Sequence, residues 1–144
     1  MAEQNFKNHT RFVPMFHFVA STLIIVPYVF SIIHFFKTLG DGSGRLHAAL
    51  LVAFITGVIL VFWYARAFAL KAQDRAIRSE ENLRHFIATG KPLDSRLHMR
   101  QIIGLRFASD DEFVALAKKA ADENMREKEI KKAVKNWKAD NNRA

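Results

Sequence analysis

The sequence predicts an all-α protein: an integral membrane hairpin of two helices, the second continuing into a small, basic, helical cytoplasmic domain. Three observations carry this expectation. Charge is segregated, because from Phe12 to Ala65 the only formal charges are Lys37, Asp41 and Arg45. Two apolar runs, 12–36 and 46–65, have the length and composition of membrane spans. The second run then passes into charged but still periodic sequence with no Gly or Pro before Gly90. The expected division is a cytoplasmic tail (1–11), a hairpin (12–65, with its loop at 37–45) and a cytoplasmic helical domain (66–144).

Composition narrows the function classes. From Arg66 onward there are 18 Lys and Arg against 12 Asp and Glu, a net +6 of the total +8. The chain contains no cysteine, which excludes a disulfide framework, a thiolate nucleophile and any Cys-ligated metal.

Residues 1–11 are polar and aperiodic, as expected of a loose tail. The first span, 12–36, would measure about 37 Å as a helix, more than a hydrocarbon core of about 30 Å, so tilt or an interfacial end is expected. It is too long for a usual signal-peptide core and no A-x-A-like cleavage site follows, so a retained anchor is expected. Pro14 sits where a helix start tolerates it, whereas Pro27 cannot donate to the Leu23 carbonyl and predicts a kink. The loop T-L-G-D-G-S-G-R holds three glycines in five residues and makes the spans antiparallel neighbours.

On the second span Ala49, Ala53 and Gly57 recur every four residues, a small-residue face that would pack on Ala20, Ile24, Pro27 and Ser31. Trp63 and Tyr64 mark its end at headgroup level. Arg66, Lys71, Arg75 and Arg78 follow at once, and Lys7 and Arg11 precede the first span. The positive-inside rule then places both termini in the cytoplasm.

Residues 66–89 extend the second helix. Ala69, Ala72, Ala76, Ser79, Leu83 and Phe86 form a seam with a period near 3.5, to pack on the later helices of the same chain or on a copy of itself. Docking within the chain is the use expected. Asp74 with Arg78 and Glu80 with Arg84 are candidate i,i+4 ion pairs. Gly90 and Pro92 end the helix. Three short helices follow. The first covers about 94–106, with Gly104 as its weak point. The second opens at a capping box, Ser109 to Glu112, and buries Phe113, Leu116, Ala117 and Ala120. The third covers about 127–139.

The run R-L-x-M-R-Q-I-I-G-L-R-F-A-S-D-D-E-F (96–113), the tail E-I-K-K-A-V-K-N-W-K-A-D (129–140) and the opening N-F-K-N-H-T-R-F-V-P (5–14) resemble a family of small bacterial membrane proteins. In that family two spans precede a helical cytoplasmic tail of unknown function. The resemblance implies bacterial origin and the topology above, and it implies no reaction; the expected location is the bacterial inner membrane.

No nucleotide, zinc-protease or hydrolase motif is present, so no catalytic residue, metal, cofactor or small-molecule substrate is expected. His34 and His47, near the outer ends of the spans, are weak candidates for a haem or metal against a plainer reading as interfacial histidines. The basic last helix is the sharpest feature. Lys128, Lys131, Lys132, Lys135, Trp137 and Lys138 would form a surface for a protein partner or anionic lipid, or a solvated face on a small bundle. Ala120, Asn124 and Ile130 carry the spacing of a helix-turn-helix, which keeps nucleic acid open as a partner. The leading expectation is a non-enzymatic, membrane-anchored scaffold or accessory subunit of a membrane protein complex. The alternatives are a membrane-tethered nucleic-acid-binding regulator and a haem- or quinone-associated subunit of an electron-transfer complex.

Overall fold

The computed structural model describes residues 5, 6, 8 and 13–139. Most of the expected tail, with Lys7, Arg11 and the span start at Phe12, lies outside them. Among the described residues the chain is all-helical: a π-helical segment Met15–Ala20, then α1 Ser21–Asp41, α2 Arg45–Thr89, α3 Met99–Leu105, α4 Asp110–Asp122 and α5 Glu127–Ala133. The chain divides into two compact units, Arg11–Phe68 and Met1–Thr10 with Ala69–Ala144.

In the first unit the π-helical turns run directly into α1, and the Ser21 hydroxyl donates to the Phe16 carbonyl five residues back (3.2 Å). α1 continues unbroken through Pro27. It also continues through Gly40, so the loop expected at 37–45 shortens to 42–44. Gly42 (φ 78°) and Gly44 (φ 72°) take left-handed conformations that glycine adopts without strain. The Gly42 amide caps α1 by donating to the Thr38 carbonyl (3.0 Å), and Arg45 Nε donates to the same oxygen (3.2 Å). With the Thr38 carbonyl so satisfied, α1 closes within the three-residue turn.

The two helices of this hairpin meet through Ser31, Thr38, Ala48 and Ile55, all buried. Phe16 stacks on Phe62 with ring centroids 4.3 Å apart, and the Tyr28 and Thr56 hydroxyls lie 3.4 Å apart. The contact face on α2 is therefore Ala48, Val52, Ile55, Ile59 and Phe62, a seven-residue repeat. This corrects the expected pairing. Ala49 is half-buried, and Ala53 and Gly57 are exposed; of the residues expected opposite, Pro27 is exposed, Ala20 and Ile24 are half-buried and Ser31 is buried. One residue turns a helix by about 100°, so the row beginning at Ala48 faces α1 while the row at Ala49 points aside. Residues 52, 55, 59 and 62 offer larger side chains to interdigitate, and the hairpin forms on them. Both helices are long and apolar enough to cross a membrane, with 6% and 11% of their apolar windows buried.

In the second unit α2 ends where Gly90 (φ 71°) donates to the Phe86 carbonyl at 2.7 Å. α3 begins at Met99, later than expected. The Asp94 carboxylate binds the Arg96 amide and guanidinium (2.7–3.2 Å), holding 94–97 as a turn. The His98 amide then donates to Gln101 Oε1 (2.7 Å) and opens the helix. The core joins Ile77 of α2 to Leu97, Ile102, Leu105, Phe113, Leu116, Ala117, Ala120 and Ile130. Gly104 is no weak point. A Cβ there would stand 3.2 Å from the Glu127 carbonyl oxygen and from the Ile130 side chain, so glycine is what lets α3 and α5 approach.

The capping box at Ser109 does not form. Ser109 makes no side-chain cap, and its buried hydroxyl has no hydrogen-bond partner. The Glu112 carboxylate instead accepts the amides of Lys135 (3.1–3.2 Å) and Asn136 (3.0 Å). That capture ends α5 at Ala133, short of the expected 139, and turns the chain into an extended segment. Ser109 N donates to the Asn136 carbonyl and Lys138 N to the Phe107 carbonyl, so residues 136–138 lie antiparallel to 107–109. Trp137 is drawn over Phe107 with centroids 4.9 Å apart.

Candidate functional site

The second unit carries an open cleft of about 920 Å³ along α2. Its α2 wall is Gln73, Ala76, Glu80, Leu83 and Ile87, and Arg106, Asp110, Phe113 and Lys138 stand opposite. At its floor one guanidinium gathers the surrounding groups. Arg84 donates to Glu81 Oε2 (3.0 Å), to Asp110 Oδ1 (2.6 Å) and to the Ala108 carbonyl (2.7 Å). Its guanidinium carbon lies 4.2 Å from the Phe113 ring centroid. Lys138 Nζ reaches Asp110 at 3.9 Å. Arg84 thus has a planar fork for two acids and a flat face for an aromatic ring, a combination that lysine cannot supply. Sequence spacing paired Glu80 with Arg84 and Asp74 with Arg78. Neither pair forms among the described residues; Arg84 turns instead to Glu81 and across to α4.

The two acids on Arg84 respond in opposite directions. Burial pushes the Glu81 carboxyl above its ordinary 4.5, and hydrogen bonding to Arg84 only partly offsets this. The exposed Asp110 carboxyl is held below its ordinary 3.8 by its hydrogen bond to Arg84. Charged Glu81 therefore costs stability above its raised value, and that cost is relieved as pH falls toward 4.5. Asp110 contributes stability above 3.8 that is lost on further acidification. The expected result is that Glu81→Gln removes the relief: its thermal denaturation, followed in detergent, gains less than the wild type between pH 7 and about 4.5. Equal gains in both proteins would contradict this account of Glu81.

The basic surface expected on one helix is divided. Lys131 is buried, paired to Glu127 at 2.6 Å and 5.3 Å from the Phe107 centroid. Trp137 is half-buried on Phe107. Lys128, Lys132, Lys135 and Lys138 stay exposed, but only Lys128 and Lys132 belong to α5. Lys132 lies over the Phe6 ring at 5.8 Å. Ala120 and Ile130 are fully buried, and Asn124 adopts a left-handed φ of 48° between α4 and α5. Buried Gln101 donates to the Met125 carbonyl (2.9 Å) and pins this turn from within. Ala120, Asn124 and Ile130 thus occupy the packed, turn and core places that the helix-turn-helix spacing assigns them. The exposed charges of α5 itself, Lys128, Glu129 and Lys132, leave a net of +1.

His34 and His47 are both exposed, and His17 Nδ1 lies 3.0 Å from the Val13 carbonyl oxygen. Among the described residues no group of three or more His, Cys, Asp or Glu is placed to hold a metal. Sequence reasoning missed Arg84 as an organiser, Gln101 as a pin and Glu112 as a clamp. All three are ordinary helix-surface residues by pattern, and only their long-range partners distinguish them. The model of a family of unknown function (DUF6526) matches residues 1–144. No curated protein and no solved structure matches the chain.

Proposed function

The chain belongs to DUF6526, a family of unknown function, and from that premise we propose that it is a non-enzymatic scaffold or accessory subunit anchored in the bacterial inner membrane. The observation that carries this is the apolar exterior of the first unit. Phe18, Leu23, Phe30, Phe36, Phe54, Val61 and Trp63 are each more than 60% exposed. An uncovered apolar surface of this extent, over two helices of spanning length, favours a bilayer as its solvent. Orientation with both termini cytoplasmic is supported by Arg66, Lys71, Arg75 and Arg78, which follow the second span directly.

A scaffold role is favoured by what surrounds Arg84. Its two acids are pinned in ion pairs, and no nucleophile with an adjacent base stands in the cleft among the described residues. Of the alternatives, nucleic-acid binding has less support because the exposed charges of α5 sum to only +1, and phosphate binding needs an accumulation of Lys and Arg.

Purification of the native protein in detergent, with an absorption spectrum and mass spectrometry on one sample, tests this. The expected result is a colourless protein with stoichiometric membrane companions. A Soret band would replace this reading with the haem-associated one, and a chain that runs alone would remove the accessory-subunit role.

A further inference from the structure

Between Ala69 and Thr89 α2 uses one side to hold its own bundle. Ile77 and Glu81 are buried there, and Arg84 and His85 half-buried. The seam Ala69, Ala72, Ala76, Ser79, Leu83 and Phe86 runs along the adjoining face, bordering the cleft at Ala76 and Leu83 and turning away from the bundle at Ser79 and Phe86, and every member is exposed. Leu83 is 58% and Phe86 53% exposed, and Ile87 at the seam's edge reaches 76%. The expectation that this seam docks within the chain is thus corrected, because the bundle takes the row through Ile77 instead.

We propose that the seam's occupant is a second copy of this chain, packed as a parallel coiled coil along α2. Steps alternating between three and four residues are the a and d positions of a heptad. In that register Arg75 falls at g and Glu80 at e. A parallel, in-register pair sets each g position beside the partner's e position in the following heptad, so Arg75 of each copy meets Glu80 of the other. This self-complementarity of charge is what points to a second copy rather than another helix. Among the described residues neither forms an ion pair within its own chain, so both are available. The one polar seam residue carries little burial cost, because the Ser79 hydroxyl already donates to the Arg75 carbonyl at 3.1 Å. Alanines at Ala69, Ala72 and Ala76 allow close approach, and Leu83 and Phe86 supply the larger buried area.

The parallel direction rests on the membrane-anchored reading. Two copies inserted the same way in one bilayer are aligned and concentrated, which helps a short, alanine-rich seam associate. The absence of cysteine makes the test direct. Ser79→Cys in the seam and Arg78→Cys beside it are each made in the full chain and oxidised in native membranes. Ser79→Cys should form one band at twice the 16.5 kDa monomer mass. It should form about tenfold faster than with Arg78→Cys, since a disulfide needs Cα atoms within about 7 Å. Arg75→Glu or Glu80→Arg alone in the Ser79→Cys chain should slow it, and the two together should restore it.

Equal rates at positions 78 and 79, no dimer at 79, or no restoration by the double reversal would overturn the coiled coil. Alkaline carbonate extraction of the same membranes separates the two readings. Protein that stays in the pellet but fails to cross-link defeats only the coiled coil. Protein released by carbonate defeats the anchor and the parallel register with it.

Discussion

Phe107→Ala should release the C-terminal segment and destabilise the second unit by about 3–5 kcal/mol, the usual cost of truncating a buried phenylalanine. Phe107 is fully buried. It supports Trp137 at 4.9 Å, and the charged ends of Arg106 and Lys131 lie 5.0 and 5.3 Å from its ring. Its own carbonyl accepts the Lys138 amide, so the residue holds the segment by side chain and backbone alike. The side-chain half of that hold disappears in the variant. Small domains have total stabilities of about 5–15 kcal/mol, so the loss is a large share. With Trp63→Phe as background, Trp137 becomes the only tryptophan. Its emission should shift to the red, and limited proteolysis should cut within 134–139. Exposed Lys118→Ala serves as the control and should move neither signal. An unchanged denaturation midpoint would show that the segment is held by its backbone bonds and by Glu112 alone.

Arg84→Ala should be nearly as damaging, at about 3–5 kcal/mol, because it leaves a buried charge without its partner. The Glu81 side chain is 11% exposed and has Arg84 as its ion-pair partner at 3.0 Å. The variant also strips the Ala108 carbonyl of its 2.7 Å donor and Phe113 of the cation on its face. Part of the loss should return when Glu81→Gln is added, since the stranded charge is then gone. The two substitutions should therefore be non-additive. Arg84→Lys keeps the charge but cannot bridge Glu81, Asp110 and the Ala108 carbonyl together, so it should fall between wild type and Arg84→Ala. Denaturant midpoints of these variants, measured in one detergent, decide the matter. Additive losses would mean that Arg84 acts chiefly by packing on Phe113.

Much of the fold was legible because it is written in local signals. The apolar runs, the break at Gly90 and Pro92, and the burial of Phe113, Leu116, Ala117 and Ala120 follow from periodicity and backbone chemistry within a few turns of helix. What misled were signals with two local solutions. Glu80 and Glu81 both lie within reach of Arg84, and spacing favoured the first. Ser109 and Glu112 fit a capping box, yet Glu112 found a better use in two amides far along the chain, those of Lys135 and Asn136. The lysine run of 128–138 looked like one helical face until that same capture ended α5 at Ala133.

The sequence by itself determined the number and order of the helices and which of them are apolar enough to cross a membrane, because these depend on hydropathy, spacing and glycine or proline placement; it did not determine where α1 ends, where α3 begins or where α5 ends. It did not determine which side of α2 would be used. Ala49, Ala53 and Gly57 compete with the row at Ala48, and the seam at Ala69 competes with the row through Ile77. Both rows satisfy a helical period, and the choice turns on what the facing helices offer to fill. Only the tertiary structure decided that, by packing Phe62 on Phe16 in one unit and drawing Arg84 to Asp110 and Phe113 in the other. Close packing rewards the row whose side chains fit the partner, and that fit is a property of two surfaces together.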